Sequence, residues 1–152
     1  MKQQQIKYQI KNAKKNDILC HLNTCNDYFT PSLSSRVKLN TFSEKIYSSA
    51  ISFEAWNENI LIGLVSCYFN KNKTGFINHA SVIREFHKMG IFKKLLNSCI
   101  NYGKELKFQS IKLEVEKENH IAKNIYLNLG FKFLSLNNNF ISMQLHLDKE
   151  EI

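Results

Sequence analysis

One segment of the sequence combines a glycine with basic residues at the point where a strand pattern gives way to a helix pattern. In FHKMGIFKKLL, residues 86–96, Gly90 precedes an apolar helical stripe, and His87, Lys88 and Lys93 lie beside it. The first turn of a helix leaves backbone N–H groups unpaired and carries partial positive charge. The segment therefore predicts a phosphate site that the backbone can approach closely. The alternative is a glycine that only eases the turn beside a solvated basic face.

The composition indicates one basic domain. The chain has 152 residues, of which 43% are hydrophobic, so it can form a sizeable core, and we expect a single domain over residues 1–152. The formal net charge is +8, from 21 basic and 13 acidic residues, and favours anionic partners without choosing among them. Nucleic acid is one alternative, but the lysines are dispersed and no zinc-ligand or RNA-binding aromatic pattern occurs. We expect no nucleic-acid partner.

The N-terminal segment and the cysteines bear on location and metal binding. Residues 1–15 have no apolar stretch typical of a secretion signal, and no window approaches the ~20 apolar residues of a membrane span. We therefore expect a soluble, cytoplasmic protein with no membrane partner. The cysteines form no CxxC pair, so we predict buried, reduced thiols and no metal site; they are Cys20, Cys25, Cys67 and Cys99.

The hydrophobic periodicity predicts the element order βααβββαβαββ. A strand over residues 6–10 is followed by a helix that Asn16 or Asp17 caps, and a second helix is predicted over residues 35–50. Three strand patterns come next, in ISFEAW, ILIGLVSCYF and GFINHASVI. The helix after Gly90 then leads to the alternating strand QSIKLEVE.

The last third of the chain continues this alternation. A helix is predicted from a cap at Asn119 to a left-handed residue at Gly130, and the strands FKFL and FISMQLHL follow it. Strands and helices in this order predict an α/β fold. The sequence shows no repeat and no interdomain linker.

Two motifs in this arrangement resemble those of the GNAT superfamily of acetyl-CoA dependent N-acetyltransferases. The first family motif is roughly V-x-P-x-[YF]-[RQ]-G-x-G-x-G-[KR]-x-L-[LI], and the matching residues are Val82, Phe86, Gly90, Lys93, Leu95 and Leu96. The second motif, N-x-x-A-x-x-x-Y-x-x-x-G-F, is matched in full by Asn119, Ala122, Tyr126, Gly130 and Phe131. The departures from the first motif are Arg84, His87, Lys88 and Phe92. The resemblance implies a mixed, mostly antiparallel central sheet flanked by helices.

The resemblance also implies acetyl-CoA as co-substrate and assigns residues to it. In the family, the strand before the loop and the strand after its helix splay apart, and the pantetheine arm lies between them. The backbone of Ala80 and Val82 matches the positions that hold this arm, and Asn119 matches a residue that often bonds the cofactor. The pyrophosphate would be bound by His87, Lys88, Met89, Gly90, Ile91, Phe92 and Lys93. We expect Phe92 to point into the core while its N–H faces the phosphates.

Acetyl transfer also needs a proton donor for the departing thiolate and a proton acceptor for the amine. By resemblance, Tyr126 is the general acid, and Glu114 occupies the position of the proton acceptor in some members. His79 is a second candidate base, because an imidazole ordinarily titrates near pH 6.5. A water-mediated route is a third alternative, and both side chains could instead serve only structural roles.

The acceptor is the least determined part of the sequence. In this fold the segment between the first two helices shapes the acceptor pocket, and here it is DYFTPSLSSRV. Its aromatic ring, hydroxyls and positive charge suit a small polar acceptor that bears a carboxylate or phosphate; they belong to Tyr28, Ser34, Ser35 and Arg36. We expect an amine of a small molecule, with an amino sugar as one candidate, or of a peptide.

One broader alternative to an enzyme remains at this stage. A domain of this kind could bind acetyl-CoA without turnover, as a sensor or partner subunit, although the complete Tyr126 motif argues for an enzyme. The oligomeric state is expected to be a monomer or a homodimer, since dimers are common in the family.

Overall fold

The computed structural model describes residues 5–70 and 72–147. Within these ranges the strands are β1 (Lys7–Ile10), β2 (Ile51–Asn57), β3 (Ile60–Phe69), β4 (Thr74–Val82), β5 (Ser110–Glu116), β6 (Lys132–Asn137) and β7 (Phe140–His146). The α-helices are α1 (Lys15–Cys25), α2 (Leu39–Ser49), α3 (Ile91–Glu105) and α4 (His120–Leu129). The predicted order βααβββαβαββ is confirmed. None of these helices is long and apolar enough to span a membrane.

The strands form a mixed sheet in the order β1-β2-β3-β4-β5-β7-β6. Among the described residues only β4 and β5 pair in parallel, and every other neighbouring pair is antiparallel. Helix α3 makes the crossover between the two parallel strands, as a parallel connection requires. The prediction of a mostly antiparallel central sheet flanked by helices is therefore confirmed.

The helices pack on both faces of the sheet, because alternate residues of each strand point to opposite faces. On β3, Val65 belongs to the apolar cluster that includes residues of α3 and α4. Its neighbour Leu64 belongs to a second cluster, which includes Ile18 and Leu22 of α1 and Ile46 of α2. The sheet thus separates a layer formed by α3 and α4 from a layer formed by α1 and α2.

Some predicted boundaries were wrong. Helix α1 begins at Lys15, and Asp17 lies in its first turn, where the carboxylate accepts from the Lys14 N–H at 2.9 Å. Helix α2 begins at Leu39 rather than at residue 35, because Leu33–Ser35 forms a separate 3-10 turn. Cys20 is exposed rather than buried, since it lies off the apolar stripe of α1.

Candidate functional site

The site begins where β4 and β5 stop pairing. Their parallel register ends at Ile77 opposite Leu113, although β4 continues to Val82 and β5 to Glu116. A β-bulge at the same point leaves Asn78 outside the register between β3 and β4. Because a bulge bends its strand and increases the local twist, β4 separates from β5. The two strands therefore enclose a gap with one unpaired edge of β4.

The unpaired edge directs the backbone of Ala80 and Val82 into this gap. The Ile83 N–H donates to the Ile62 carbonyl on β3 at 2.8 Å, so the backbone of Ile83 faces β3. The backbone groups of successive strand residues face opposite edges in turn, so Val82 and Ala80 face away from β3. The Val82 carbonyl accepts from Nε2 of His87 at 2.7 Å. The Val82 N–H and the backbone of Ala80 are left directed into the gap.

The loop after β4 ends in an open helix N-terminus. Gly90 has φ +78°, a left-handed conformation, and a Cβ added to it would meet nothing within 4 Å. The first hydrogen bond of α3 joins the Lys94 N–H to the Gly90 carbonyl at 3.1 Å. The N–H groups that precede Lys94 therefore have no partner within the helix, and they belong to Ile91, Phe92 and Lys93. Lys88, also left-handed with φ 66°, adds a basic side chain beside this turn.

A cavity of about 710 Å³ joins this helix N-terminus to the gap between β4 and β5. It brings together most of the side chains that the sequence singled out. The predicted residues that line it are Tyr28, Arg36, His79, Ala80, Val82, His87, Lys88, Gly90, Ile91, Phe92, Lys93, Glu114, Asn119 and Tyr126. Met89, Ser34 and Ser35 do not line it.

Tyr126 lies on α4 at the wall of this cavity. Its side chain is 5% exposed and packs against Phe92 and Phe131, with ring centroids 5.9 Å and 5.7 Å away. Burial raises the pKa of Tyr126 well above its usual value, so the hydroxyl keeps its proton at neutral pH. Phe92 is half-buried against the core and forms part of the same wall. The N-cap of α4 is Asn119, whose Oδ1 accepts from the Ala122 N–H at 3.2 Å.

The two candidate bases lie in different environments. Glu114 is exposed at the cavity and points away from the buried side of β5, where Leu113 and Val115 lie. His79 is 6% exposed, and its Nε2 lies 2.7 Å from the hydroxyl of Ser81. Burial, followed by the charges of His21 and Arg36, lowers the pKa of His79 to about 3. At neutral pH His79 is therefore a neutral and weak base.

The segment between α1 and α2 is fastened to both sides of the gap. On the β4 side, the Tyr28 hydroxyl accepts from the Arg84 N–H at 2.8 Å, and the Arg84 guanidinium lies 4.3 Å from the Tyr28 ring centroid. On the β5 side, the Glu116 carboxylate accepts from the Thr30 N–H at 2.8 Å and lies 3.9 Å from the Arg36 guanidinium. These contacts hold the segment over one end of the cavity, which is called the acceptor end because the sequence predicts that this segment binds the acceptor.

The hydroxyls of Ser34 and Ser35 are used within the segment itself. Asn26 donates to Ser34 Oγ at 3.0 Å and accepts from its backbone N–H at 2.7 Å. Ser35 Oγ donates to the Ser32 carbonyl at 2.6 Å. Both serines therefore stabilise the turn rather than face the cavity, and Met89, with half its surface exposed, lies outside the lining as well.

Several lining residues were not singled out from the sequence. Phe29 and Phe140 flank the Arg36 guanidinium at 5.8 Å and 5.2 Å, and Glu116 anchors it. Asn78 accepts from Ser66 through Oδ1 at 2.6 Å, whereas its Nδ2 is the one buried side-chain polar atom without a partner among the described residues. These groups come from distant parts of the chain, so no local motif signals them.

Comparison with known proteins places the chain among acetyltransferases. N-alpha-acetyltransferase 30 of Saccharomyces cerevisiae is 31% identical over 100 residues, which are 63% of this chain and 56% of the relative. The chain thus spans about half the length of that curated relative.

Solved structures share the fold at lower identity. The ribosomal-protein-S18-alanine N-acetyltransferase of Escherichia coli superposes with a TM-score of 0.73 at 15% identity, over 95% of this chain and 97% of the other. The PaiA N-acetyltransferase of Thermoplasma acidophilum, solved with coenzyme A, has a TM-score of 0.72 at 14% identity, over 92% and 99% of the two chains.

The match to a family is the most specific of these comparisons. The sequence pattern of the Acetyltransferase (GNAT) family matches residues 17–131, which include most of α1, the gap between β4 and β5, α3 and α4. The resemblance that the motifs indicated is therefore confirmed, and its enzyme class is that of acetyl-CoA dependent acyltransferases. The chain belongs to the Acetyltransferase (GNAT) family.

Proposed function

We propose that this chain is an N-acetyltransferase, which transfers the acetyl group of acetyl-CoA to a primary amine by direct attack in a ternary complex. The observation that carries the proposal is the continuity of one cavity. It runs from the N-terminus of α3, along the unpaired edge of β4, to the Tyr126 side chain. An anion site, a channel with backbone hydrogen-bonding groups and a proton donor are thereby joined in one space.

The residues at the helix end fit the phosphates of the co-substrate. Ile91, Phe92 and Lys93 present the N–H groups of the first turn, and open space above Gly90 admits a ligand close to the backbone. Lys88 and Lys93 add positive charge at the same place. Because most of these contacts come from the backbone, the departures from the family motif at residues 87 and 88 are compatible with binding.

The unpaired edge of β4 fits an extended amide-containing arm. Ala80 directs both backbone groups into the gap, whereas Val82 offers only its N–H, since His87 already occupies its carbonyl. His87 thus serves the site by shaping the strand end rather than through its own Nε2. The side-chain nitrogen of Asn119 remains available to a ligand, because the helix cap uses only the oxygen.

Acetyl-CoA, when bound, supplies the acetyl group: a bond forms between the amine nitrogen and the acetyl carbon, the bond to sulfur breaks, and the sulfur gains a proton. Tyr126 is suited to donate to that sulfur, because burial keeps its hydroxyl protonated. Glu114 is the better candidate to receive the proton that the amine loses, directly or through water, since it is exposed at the cavity and His79 is a weak base.

The acceptor that we favour is the N-terminal amine of a peptide. Similarity to N-alpha-acetyltransferase 30 supports a peptide acceptor. The alternative of a small anionic acceptor, such as a charged amino sugar, has less support, because the Arg36 guanidinium is already paired with Glu116 and flanked by two aromatic rings.

An acetylation assay distinguishes these acceptors. Purified protein and acetyl-CoA are mixed with a short peptide, with the same peptide blocked at its N-terminus, or with glucosamine, and released thiol and product mass are measured. We expect acetylation at the free N-terminus and none of the blocked peptide. Acetylation of glucosamine alone would contradict the peptide proposal, and binding of acetyl-CoA without turnover of any amine would indicate a silent binding module.

A further inference from the structure

Three buried polar side chains form a hydrogen-bonded chain under the acceptor end of the cavity. Nε2 of His79 lies 2.7 Å from the Ser81 hydroxyl, which lies 2.9 Å from Nε2 of His21. Nδ1 of His21 lies 2.8 Å from the Leu61 carbonyl on β3. The three side chains are 6%, 6% and 1% exposed. No step of the proposed reaction uses Ser81 or His21.

The donor and acceptor in each of these hydrogen bonds follow from the Leu61 carbonyl, which can only accept. Nδ1 of His21 must therefore carry a hydrogen and donate it. Burial lowers the pKa of His21 to about 4, so at neutral pH the ring has one hydrogen and its Nε2 is an acceptor. The Ser81 hydroxyl then donates to that Nε2, and the Ser81 oxygen is left to accept from Nε2 of His79. The hydrogen of the His79 ring thus lies on Nε2, and its Nδ1 carries a free electron pair.

Cys25 lies close enough to compete for Nε2 of His21. Its sulfur lies 3.6 Å from Nε2 of His21 and could donate in place of Ser81. A thiol is a weak donor, and the hydroxyl at 2.9 Å makes the stronger hydrogen bond. The Ser81 hydroxyl therefore donates to Nε2 of His21, and the directions of the hydrogen bonds between His21, Ser81 and His79 are fixed.

The free nitrogen of His79 belongs to a side chain that lines the cavity. No hydrogen bond within the described residues engages Nδ1 of His79, and His79 is part of the cavity lining. Nδ1 is therefore the ring nitrogen that is left for a ligand. The rings of Phe29 and Phe42, with centroids 5.6 Å and 6.1 Å away, hold the imidazole in place.

We infer that Nδ1 of His79 accepts a hydrogen bond from the acceptor amine and orients it, and that Ser81 and His21 are positioning residues that fix the required tautomer. This inference rests on the proposed function. A neutral imidazole in this site can accept a hydrogen bond from a neutral amine but does not retain a proton. Orientation of the amine and removal of its proton are thereby divided between His79 and another group, such as Glu114.

The tautomer can be measured without any substrate. Two-bond proton–nitrogen correlation spectra of the ¹⁵N-labelled protein at neutral pH distinguish imidazoles protonated at Nδ1 from those protonated at Nε2. We expect the Nε2 form for His79 and the Nδ1 form for His21, and we expect Ser81→Ala to change only the pattern of His79. Cys25→Ala is the matched control and should change neither. A His79 ring protonated at Nδ1 in the wild type, or altered in Cys25→Ala, would overturn the inference.

Kinetics with a peptide amine then test the role of the chain. We expect Ser81→Ala to raise KM for the amine roughly tenfold, as loss of one oriented hydrogen bond would, while Kd for acetyl-CoA stays within twofold. Ser81→Thr, which retains a hydroxyl, should restore KM. An unchanged KM in Ser81→Ala would contradict the inference and leave the proposed function intact. Absence of turnover in the wild type would instead count against the proposed function, and the tautomer spectra would still stand.

Discussion

The two ends of the cavity are built from different parts of the polypeptide. At the end formed by Gly90 and the first turn of α3, the groups that we propose to bind the phosphates are mostly backbone N–H groups in one short stretch of chain. At the acceptor end, side chains join segments that are far apart in sequence, such as Thr30 and Glu116 or Tyr28 and Arg84. A site that binds through backbone groups tolerates substitution of its side chains. A site that binds through side chains changes its specificity when any of those side chains is substituted.

This contrast accounts for two of the four departures from the family motif. His87 and Lys88 lie at the end formed by Gly90 and the first turn of α3, which is called the backbone-built end below. Their replacement of the usual residues leaves the helix N-terminus open. The acceptor end instead depends on an ion pair, aromatic contacts and buried imidazoles that belong to this chain. We therefore expect co-substrate binding to be shared with relatives and acceptor choice to be particular to this chain.

The largest effect is expected where the two ends meet, at Tyr126. Replacement by Phe removes only the hydroxyl and should lower kcat about 10²- to 10⁴-fold, the range for loss of a general acid. Kd for acetyl-CoA should stay within twofold, because the ring still packs against Phe92 and Phe131. Steady-state kinetics and calorimetry check the two values. An unchanged kcat in Tyr126→Phe would remove Tyr126 from the chemistry.

Acid should weaken the fold through the imidazoles under the acceptor end. Burial lowers the pKa of His21 to about 4, so between about pH 6.5 and pH 4 the unfolded chain binds a proton that the folded chain excludes. The free energy of unfolding should thus fall with falling pH, by about 2 kcal/mol from pH 7 to pH 5 for this group. Urea denaturation at both pH values measures it. His21→Gln, which cannot titrate, should show a smaller drop, and an equal drop would contradict this origin.

Loss of the Glu116 contacts, which hold the segment between α1 and α2 over the acceptor end, should alter acceptor binding alone. Glu116→Ala removes the acceptor for the Thr30 N–H and the partner of Arg36. We expect KM for a peptide amine to rise about tenfold, with Kd for acetyl-CoA within twofold. Glu118→Ala, at an exposed position in the following turn, is the control. A weaker Kd for acetyl-CoA in Glu116→Ala would show that the two ends are not independent.

The smallest effect is expected for a lysine at the backbone-built end. Lys88→Ala should weaken acetyl-CoA binding about threefold at low salt, and the difference should shrink at high salt, as for an exposed charge. Lys104→Ala, near the opposite end of α3, is the matched control. Calorimetric titrations at two salt concentrations provide the comparison. A loss of a hundredfold or more would mean that side chains, not backbone groups, dominate phosphate binding.

The sequence predicted the parts of the molecule that local rules determine. The element order follows from periodicity, and the ends of α4 follow from local chemistry: Asn119 caps its start and Gly130 ends it with φ +106°. The sequence predicted the start of α1 too late. Lys14 is an unusual N-cap residue, and the Asp17 carboxylate caps the helix from within its first turn. Local signals thus predicted the presence of the helices more reliably than the residues at which the helices begin and end.

The polar contacts of the acceptor end could not be read from the sequence. His21 meets the Leu61 carbonyl and the Ser81 hydroxyl only because α1 packs on the sheet, across separations of 40 and 60 residues. Ser34, which the sequence analysis assigns to acceptor binding, is instead hydrogen-bonded to Asn26 within its own segment. Residues that form hydrogen bonds through tertiary packing have no characteristic separation in the sequence, so no sequence motif identifies them.

The most direct test of the account is a calorimetric titration of the wild type, Gly90→Asp and Asn97→Asp with acetyl-CoA. The two variants change the charge equally, but Gly90 lines the cavity and Asn97 is exposed on α3 outside it. We expect micromolar binding by the wild type and Asn97→Asp and loss of binding by folded Gly90→Asp, because a carboxylate there repels the phosphates. A folded wild type that does not bind acetyl-CoA, or Gly90→Asp that binds as tightly, would contradict the proposed site.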